Sequence, residues 1–337
     1  MDALVEAIKK SPNITIEFGK QAQSIEEDDS GVTISFADGT PSRGDLLIGC
    51  DGVHSFTRNN HVDPERKQTY SGLANAYGFV PLTKEQPVHF EVSALNFARR
   101  GMLLTSYHEH TKTSGYVGAI IEVSDIGSID ELKARGDVQE NVRKDITERF
   151  GEAVLPAVHT FIQEAKDWYM WPIYSLPPFG KWSTKKVILL GDAAHAMPPQ
   201  GESTGIVLED GVLLARCLLR KQAMQGTIEE AFEAYEKLRR TRINSAYNES
   251  QQVVNSVKDA GIVGHTVKTF IIPIYLRYSR AHREKHFIED VTVVPLGFGD
   301  PPEMGQESES AYLSQWLTYP LSFVGNIWQK EPGKDEH

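Results

Sequence analysis

Two short apolar runs, each ending in a turn that joins aspartate and glycine, constrain the fold of this chain of 337 residues most strongly. The first is DLLIGCDG at 45–52, and the second is KKVILLGD at 185–192. A continuous apolar run of this length is typical of a strand that is covered on both faces, as in a parallel sheet. Ligands of open α/β sheets bind at the carboxyl ends of such strands, so the two turns are the first candidates for a ligand site.

The residues of the first turn have the chemistry that a ligand site needs. The carboxylate of Asp51 can accept hydrogen bonds from ligand hydroxyls, and Gly52 allows close approach of the backbone. Ser55 is suitably placed to cap the next short helix, and Arg58 is expected to meet a phosphate or to pair with Asp51. A single Asp-Gly turn after a strand is often only a connection, so a plain structural turn is the alternative.

The second run continues as AAHAMPPQGESTGIVLED, which predicts a proline-stiffened loop and then a helix. Gly191 lies in the turn and Pro199 in the loop, and Ser203 or Thr204 is expected to cap a helix that begins near Gly205. The N-terminus of a helix presents unpaired N–H groups and a positive dipole end, which stabilise an anionic ligand atom. A strand–turn–helix connection with a capping serine is again the alternative.

The pattern of the whole chain predicts an α/β fold with mixed α+β character: a partial Rossmann-like domain with an inserted antiparallel-sheet substrate domain. Residues from about 70 to 123 have the pattern of strands separated by turns, and apolar residues at helical spacing predict helices within 128–166. Two long helices are expected after the second turn. The predicted limits are 1–68 for the first part of the Rossmann-like domain, 69–180 for the inserted domain, 181–260 for the return, and 261–337 for a helical or irregular extension.

Two local predictions concern strand pairing. NITIEF and GVTISFADG are expected to pair as antiparallel strands around the acidic turn EEDDSG, with Asp38 and Gly39 closing that hairpin. WYMWPIYSL is expected to be an edge strand because proline cannot donate a hydrogen bond to a neighbouring strand.

Composition excludes several classes of function. The net charge is −11 and no basic block stands out, which argues against nucleic-acid binding. Cys50 and Cys217 lie in apolar contexts that favour reduced, buried thiols, and HREKH and HEH lack the spacing of a zinc site. No signal segment or run of membrane-spanning length occurs, so we expect a soluble cytoplasmic protein without metal.

The stretches DLLIGCDGVHSFTR and VILLGDAAHAMPP resemble the two downstream flavin motifs of the FAD-dependent aromatic hydroxylases. This monooxygenase family includes para-hydroxybenzoate and salicylate hydroxylases, and its fungal secondary-metabolite members look most similar. The order of the motifs, their spacing of about 140 residues, and the later helix EAFEAYEKLRRTR also match. The resemblance covers residues 1 to about 260.

The resemblance implies FAD as cofactor, NAD(P)H as reductant, and O₂ with a small aromatic or polyketide-like molecule as substrates. It implies that Asp192 binds the ribityl chain of the flavin, and that the following helix N-terminus faces the N1–C2 edge of its ring. The turn of Asp51 and Gly52 would support both FAD and the reaction with NAD(P)H. No residue is assigned a catalytic role from the sequence.

The chain departs from the family pattern in two respects. No G-x-G-x-x-G occurs anywhere in the sequence, although that fingerprint holds the pyrophosphate of such cofactors. In the second motif, Ser203 replaces a glycine, Val207 replaces the usual alanine, and Gly205 takes the place of the small residue. Two hypotheses follow: an FAD-dependent monooxygenase of secondary metabolism, or a truncated, redox-inactive homologue that acts as a binding or scaffold protein.

Several residues have two interpretations from the sequence alone. His195 has either a structural role or a direct part in catalysis. Trp168, Tyr169 and Trp171 either line a substrate pocket or pack in a core. The stretch YLSQWLTYPLSFVGNIW near the C-terminus would pack on the body of the protein, on a second subunit of a homodimer, or on a membrane surface.

Overall fold

The computed structural model describes residues 2–83, 90–123, 139–153, 155–199, 203–259, 261–267, 269–272, 274, 290–298 and 321–324. Its helices are α1 (Asp2–Lys9), α2 (Gln139–Phe150), α3 (Pro156–Glu164), α4 (Asp192–His195), α5 (Ser203–Ala223) and α6 (Ile228–Val257), with a π-helical turn at Arg58–Val62.

The strands fall into two groups along the chain. The first group is β1 (Ile14–Glu17), β2 (Ala22–Asp28), β3 (Gly31–Phe36), β4 (Pro41–Gly44) and β5 (Leu47–Gly49). The second group is β6 (Thr69–Pro81), β7 (Ser93–Ala98), β8 (Gly101–Tyr107), β9 (Ser114–Glu122), β10 (Lys166–Ser175), β11 (Val187–Leu189) and β12 (Leu321–Val324).

The N-terminal hairpin differs from the sequence prediction. Strand β2 pairs antiparallel with β3, and β1 pairs instead with β12 in parallel. The acidic stretch that was predicted as a turn lies largely in β2, where Glu27 accepts hydrogen bonds from Thr184 Oγ1 and the Lys186 amide. The prediction of a turn was wrong because it rested on the acidic composition alone. The donors that stabilise Glu27 within a strand come from a distant part of the sequence. The turn of Asp38 and Gly39 closes β3–β4, not the expected pair.

The two apolar runs form a parallel pair as predicted, with Leu47 opposite Val187 and Gly49 opposite Leu189. Every residue of β11 is buried. Helices α5 and α6 contribute Leu213, Phe232, Tyr235 and other apolar side chains to the same core. Helix α6 begins at Ile228, after a capping box between Thr227 and Glu230 that fixes this start.

The inserted antiparallel sheet is also present, with strand order β10-β6-β9-β8-β7. Strand β10 lies at the edge of this sheet, as its proline, Pro172, predicted. Helices α2 and α3 pack on one face of the sheet through apolar side chains that include Val142, Ile146, Val158 and Phe161. From the sheet itself, Trp168 of β10 belongs to the same apolar cluster. The fold is therefore mixed α/β as expected, whereas the limits of the four predicted domains stay a prediction.

The described part of the chain has no helix with both the length and the apolar content that crossing a bilayer requires.

Candidate functional site

The two Asp/Gly turns lie side by side because their strands are paired. The amide of Leu190 donates to the carbonyl of Gly49 at 3.0 Å, directly after the last paired residues. Both chains then leave the sheet at the same edge, which is the carboxyl edge of a parallel pair. The structure thus brings together the turns at 51–52 and 191–192, which are about 140 residues apart in sequence.

The carboxylate of Asp51 accepts hydrogen bonds from residues of its own loop. One oxygen accepts from the Ser55 hydroxyl, and the other accepts from the Thr57 amide at 2.8 Å and the Thr57 hydroxyl at 3.0 Å. Ser55 Oγ in turn accepts from the Arg58 amide at 2.9 Å, which is the capping bond that the sequence predicted. Gly52 has a φ of +76°, and a Cβ added there would have no heavy atom within 4 Å. The loop therefore presents open backbone at Gly52.

Arg58 neither faces a ligand nor pairs with Asp51, in contrast to both expectations. Its side chain is fully buried and donates to the carbonyls of Ala193 at 2.9 Å and Val53 at 2.7 Å. Burial lowers the pKa of this guanidinium, and the charge of Asp51 only partly opposes that effect. The sequence could not show this arrangement because the Ala193 carbonyl comes from the other turn. Arg58 therefore ties the two turns together.

Arg66, which the sequence did not single out, makes a second tie. Its guanidinium donates to the Ala194 carbonyl at 2.8 Å and pairs with Asp63 at 3.2 Å. Burial lowers its pKa to about 10, with Asp63 opposing the shift. Arg58 and Arg66 thus hold consecutive carbonyls of the segment that follows Asp192.

Asp192 contrasts with Asp51. Its side chain is exposed, and no described residue makes a hydrogen bond with its carboxyl group. Partial removal from water raises the pKa of this carboxyl, His195 opposes the shift, and the charge of Asp210 adds to it. The preceding Gly191 has a φ of +58°, and a Cβ there would lie 2.9 Å from Val207. An accessible carboxylate at a strand end can accept hydrogen bonds from a ligand.

His195 points into the core, where its ring nitrogen Nε2 lies 2.9 Å from Asp210 Oδ2. Asp210 also accepts from Arg239 Nε at 2.6 Å, and all three side chains are almost completely buried. This geometry supports the structural interpretation of His195 over a direct catalytic one. Sequence reasoning missed Asp210 and Arg239, although each interrupts the apolar face of its helix. Asp210, for example, lies at helical spacing between Ile206 and Leu213.

The described part of helix α5 begins at Ser203, so Ser203 and Thr204 lie within the helix instead of capping it. Residues 200–202 lie outside the described part of the chain, and Pro199 lies half-buried in the loop before them. Gly205 is exposed, and a Cβ there would have no heavy atom within 4 Å. The first turn of α5 therefore presents N–H groups and open backbone, the features that favour an anionic ligand atom.

Trp168, Tyr169 and Trp171 of β10 divide between the two expected environments. Trp168 is buried against α2 and α3, whereas Tyr169 and Trp171 are 44% and 47% exposed. Tyr169 stacks on Tyr77 with ring centroids 5.2 Å apart, and Tyr77 stacks on Tyr116 at 6.1 Å. The sheet thus has one packed face and one aromatic, partly open face.

The two cysteines also differ. Both are free thiols, but Cys50 is exposed beside the first turn, whereas Cys217 is buried as expected. The prediction of a buried Cys50 was wrong because the strand ends at Gly49, one residue earlier than its apolar run suggested.

These features together test whether a flavin would fit. The polar groups present are the carboxylate of Asp192, which accepts hydrogen bonds and has no described partner, and the N–H groups of the first described turn of α5. Open space lies over Gly52 and Gly205, where side chains would intrude. Hydroxyl recognition, close contact with a flat ring, and stabilisation of negative charge are what the ribityl and ring parts of a flavin require. The residues present fit that end of the cofactor.

Comparison with known proteins places the chain in a family. A family model described as FAD binding domain matches residues 1–250. Salicylate hydroxylase from Pseudomonas putida is 29% identical over 72% of this chain and 58% of that protein. The 6-methylsalicylate 1-monooxygenase from Aspergillus terreus is 29% identical over 76% of this chain and 57% of that protein. The chain therefore spans less than two thirds of the length of these relatives.

Among solved structures, a variant of HpxO from Klebsiella pneumoniae in complex with FAD superposes with a TM-score of 0.66. The two proteins are 21% identical, and the match covers 80% of this chain and 68% of that one. At this identity the likeness shows a common fold.

Proposed function

This chain belongs to the FAD binding domain family, and from that premise we propose that it acts in an FAD-dependent monooxygenase. The proposed reaction hydroxylates or oxidises a small aromatic or polyketide-like metabolite with NAD(P)H and O₂. Both relatives described above carry the names of enzymes that act on salicylates. An electron-rich aromatic ring is therefore the substrate class that we propose, in secondary metabolism.

The observation that carries the proposal is the exposed carboxylate of Asp192, beside the paired turn and the open first turn of α5. We propose that Asp192 accepts hydrogen bonds from the ribityl hydroxyls of FAD. The N–H groups at Ser203, Thr204 and Gly205 would face the edge of the flavin ring that carries negative charge. Each of these groups belongs to a regular element or its end, so its direction is defined.

The remaining predicted residues would support these contacts. Gly191 would hold the turn against α5, Pro199 would stiffen the loop, and Gly52 would offer its backbone to the cofactor. The carboxylate of Asp51 is already used within its loop, so we propose that Asp51 contributes to the site by shaping that loop.

When bound, FAD would supply the redox chemistry: it would accept hydride from NAD(P)H, and one atom of O₂ would pass to the substrate while the other leaves as water. The protein's own part is to bind, orient and stabilise charge. We propose that the open aromatic face of the sheet, with Tyr77, Tyr169 and Trp171, supplies the surface on which an aromatic substrate stacks.

A titration with FAD tests the proposal. We expect the purified chain to take up FAD with the absorption bands of oxidised flavin, and Asp192→Ala to weaken binding by more than about tenfold. Asp29→Ala is the matched control because its carboxylate is fully exposed on a turn of the β2–β3 hairpin. A colourless wild-type protein after addition of FAD would refute the proposed function, and equal affinity of both variants would refute the assigned site. NAD(P)H consumption with salicylates would then test the reaction.

We also propose that the chain is cytoplasmic and forms a homodimer. Support for the dimer comes from the helical segment after α6, where Ile262, Val263 and Phe270 are 74%, 79% and 73% exposed. Exposed apolar patches of this kind often mark protein–protein contacts. Light scattering on the purified protein tests the dimer, and a monomer mass at micromolar concentration would contradict it. Microscopy of a tagged chain tests the location.

A further inference from the structure

Three buried ionisable side chains meet directly beneath the turn that carries Asp192. They are His195 at the end of α4, Asp210 in α5 and Arg239 in α6. Their side chains are 2%, 0% and 2% exposed. Three separate elements are thus joined at one carboxylate.

Asp210 holds the segment 191–195 at both of its ends. Its Oδ2 accepts from the Gly191 amide at 3.0 Å and lies 2.9 Å from His195 Nε2. Its Oδ1 accepts from Arg239 Nε at 2.6 Å. The only residues between these two attachment points are Asp192, Ala193 and Ala194. Asp210 therefore constrains the segment on both sides of Asp192, in addition to the hydrogen bonds that Arg58 and Arg66 make to it.

The charge of Asp210 makes these contacts directional. Burial opposes its ionisation, but His195 and Arg239 outweigh that effect and hold the pKa of its carboxyl below the ordinary value. An ionised carboxylate only accepts hydrogen bonds, so the Gly191 N–H must point towards it. A second contact fixes the same turn to α5, since Gly191 packs closely against Val207.

A buried ion pair that only joins helices is the simpler interpretation. Such pairs contribute little net stability relative to apolar packing, because removing both charges from water is costly. The hydrogen bond to the Gly191 amide is different, since it reaches the backbone of the candidate site. Asp210 also lies in the helix whose first turn forms the other side of that site.

We propose that Asp210 is a positioning residue that orients Asp192 relative to the first turn of α5. From within that helix it contacts both ends of the segment 191–195. It thereby sets the distance between the Asp192 carboxylate and the first turn of α5, the two proposed contacts to the cofactor. The link to FAD rests on the proposed function, but the effect on the segment itself does not.

The test compares Asp210→Asn with Glu27→Gln. Glu27 is a matched control because it also joins a histidine, a hydroxyl and a backbone amide, through His61, Thr184 and Lys186. Those contacts lie before β11, at the opposite end of the strand from Asp192. Arg239 keeps Glu209 and the Ile206 carbonyl as partners in Asp210→Asn, which favours a folded variant.

Amide hydrogen exchange in the ligand-free chain is the first measurement. We expect Asp210→Asn to speed exchange at 191–195 by about tenfold or more relative to amides of the antiparallel sheet, and Glu27→Gln to leave it unchanged. His195→Gln removes only one of the two contacts and should cause a smaller increase. Unchanged exchange in Asp210→Asn, or an equal increase in Glu27→Gln, would overturn the proposal.

FAD affinity is the second measurement. Asp210→Asn should weaken binding by about tenfold at a temperature where the variant is fully folded, while Glu27→Gln binds like the wild type. If the wild-type chain binds no FAD, the proposed function fails, and the exchange experiment still decides the role of Asp210. Faster exchange with unchanged affinity would overturn the link between the two contacts.

Discussion

The turns at 51–52 and 191–192 occupy equivalent places at the ends of paired parallel strands, yet their aspartates differ in their hydrogen bonds. Asp51 is bound by donors of its own loop, whereas Asp192 has no described hydrogen-bond partner. The second turn is instead held by Asp210, which lies 18 residues further along the chain. A turn that is held from outside keeps its own carboxylate available for a ligand.

Local sequence explains half of this difference. The first turn is followed by VHSFT, in which Ser55 and Thr57 supply donors within reach of Asp51. The second turn is followed by AAHA, whose alanines have no polar side chain to offer Asp192. The other half is tertiary, since Arg239 and His195 are needed to keep Asp210 charged in the core.

The largest expected effect on stability comes from removing the carboxylate of Asp210, which holds the turn at 191–192. Asp210→Asn should lower the free energy of unfolding at neutral pH by about 3 kcal/mol, because it leaves buried positive charge without its main partner. The folded-state pKa of Asp210 is lowered, so its contribution is present above the ordinary aspartate pKa and is lost as the pH falls through the folded value. Urea unfolding from pH 7 to pH 3 should show the variant and the wild type converging. A constant difference would contradict this origin.

Removing the carboxylate of Asp51, which holds its own loop, should have the next largest effect on stability. Asp51→Ala leaves the buried Ser55 hydroxyl and Thr57 amide without their acceptor, and we expect a loss of about 2 kcal/mol in urea unfolding. Asp51→Asn keeps one acceptor oxygen and should lose less. If Asp51→Ala instead keeps full stability and loses only FAD affinity, Asp51 resembles Asp192 and the contrast between the turns is wrong.

A pair of glycines in α5 sharpens the position of the site. Gly205 and Gly211 both lie in the helix with no heavy atom near an added Cβ, so alanine should stabilise the chain at either position by up to about 1 kcal/mol. Only Gly205→Ala should weaken FAD binding, because only Gly205 lies in the first turn. Equal affinities of the two variants would move the flavin edge away from that turn.

The smallest expected effect concerns Asp192 itself. Because partial burial raises its pKa in the folded chain, its contribution to stability is greatest below the ordinary aspartate pKa and is lost as the pH rises. Asp192→Asn should therefore be slightly more stable than the wild type at pH 7, by less than about 0.5 kcal/mol because solvent screens an exposed carboxylate. Thermal unfolding at pH 7 and pH 3 measures this difference, which should shrink in acid. A less stable variant at pH 7 would show that Asp192 has a partner in the folded chain.

The fold was predictable where short-range pattern and final environment agree. The buried strands β5 and β11 follow from their apolar runs, and the edge position of β10 follows from its proline. Strand β2 was missed because its acidic residues are typical of a turn. Its inward Glu27 is satisfied only by His61, Thr184 and Lys186, which the fold brings from elsewhere.

The candidate site was predictable in its location and less so in its details. Both turns were identified from their strands, and the open backbone at Gly52 and Gly205 agrees with the predicted close approach. Arg58 was assigned to a phosphate or to Asp51, yet it binds the Ala193 carbonyl inside the protein. The side chain of an arginine reaches several residues in any direction, so its partner depends on packing.

By itself, the amino-acid sequence determined the two strands, the turns that end them and the helix that follows, because these depend on neighbours within a few residues. Only the tertiary structure decided which aspartate stays accessible, that Cys50 is exposed, and that His195 faces the core. Each of these outcomes depends on groups that come together from distant parts of the chain. The balance between burial and pairing at Asp210, which holds the second turn, exists only once α4, α5 and α6 have packed together.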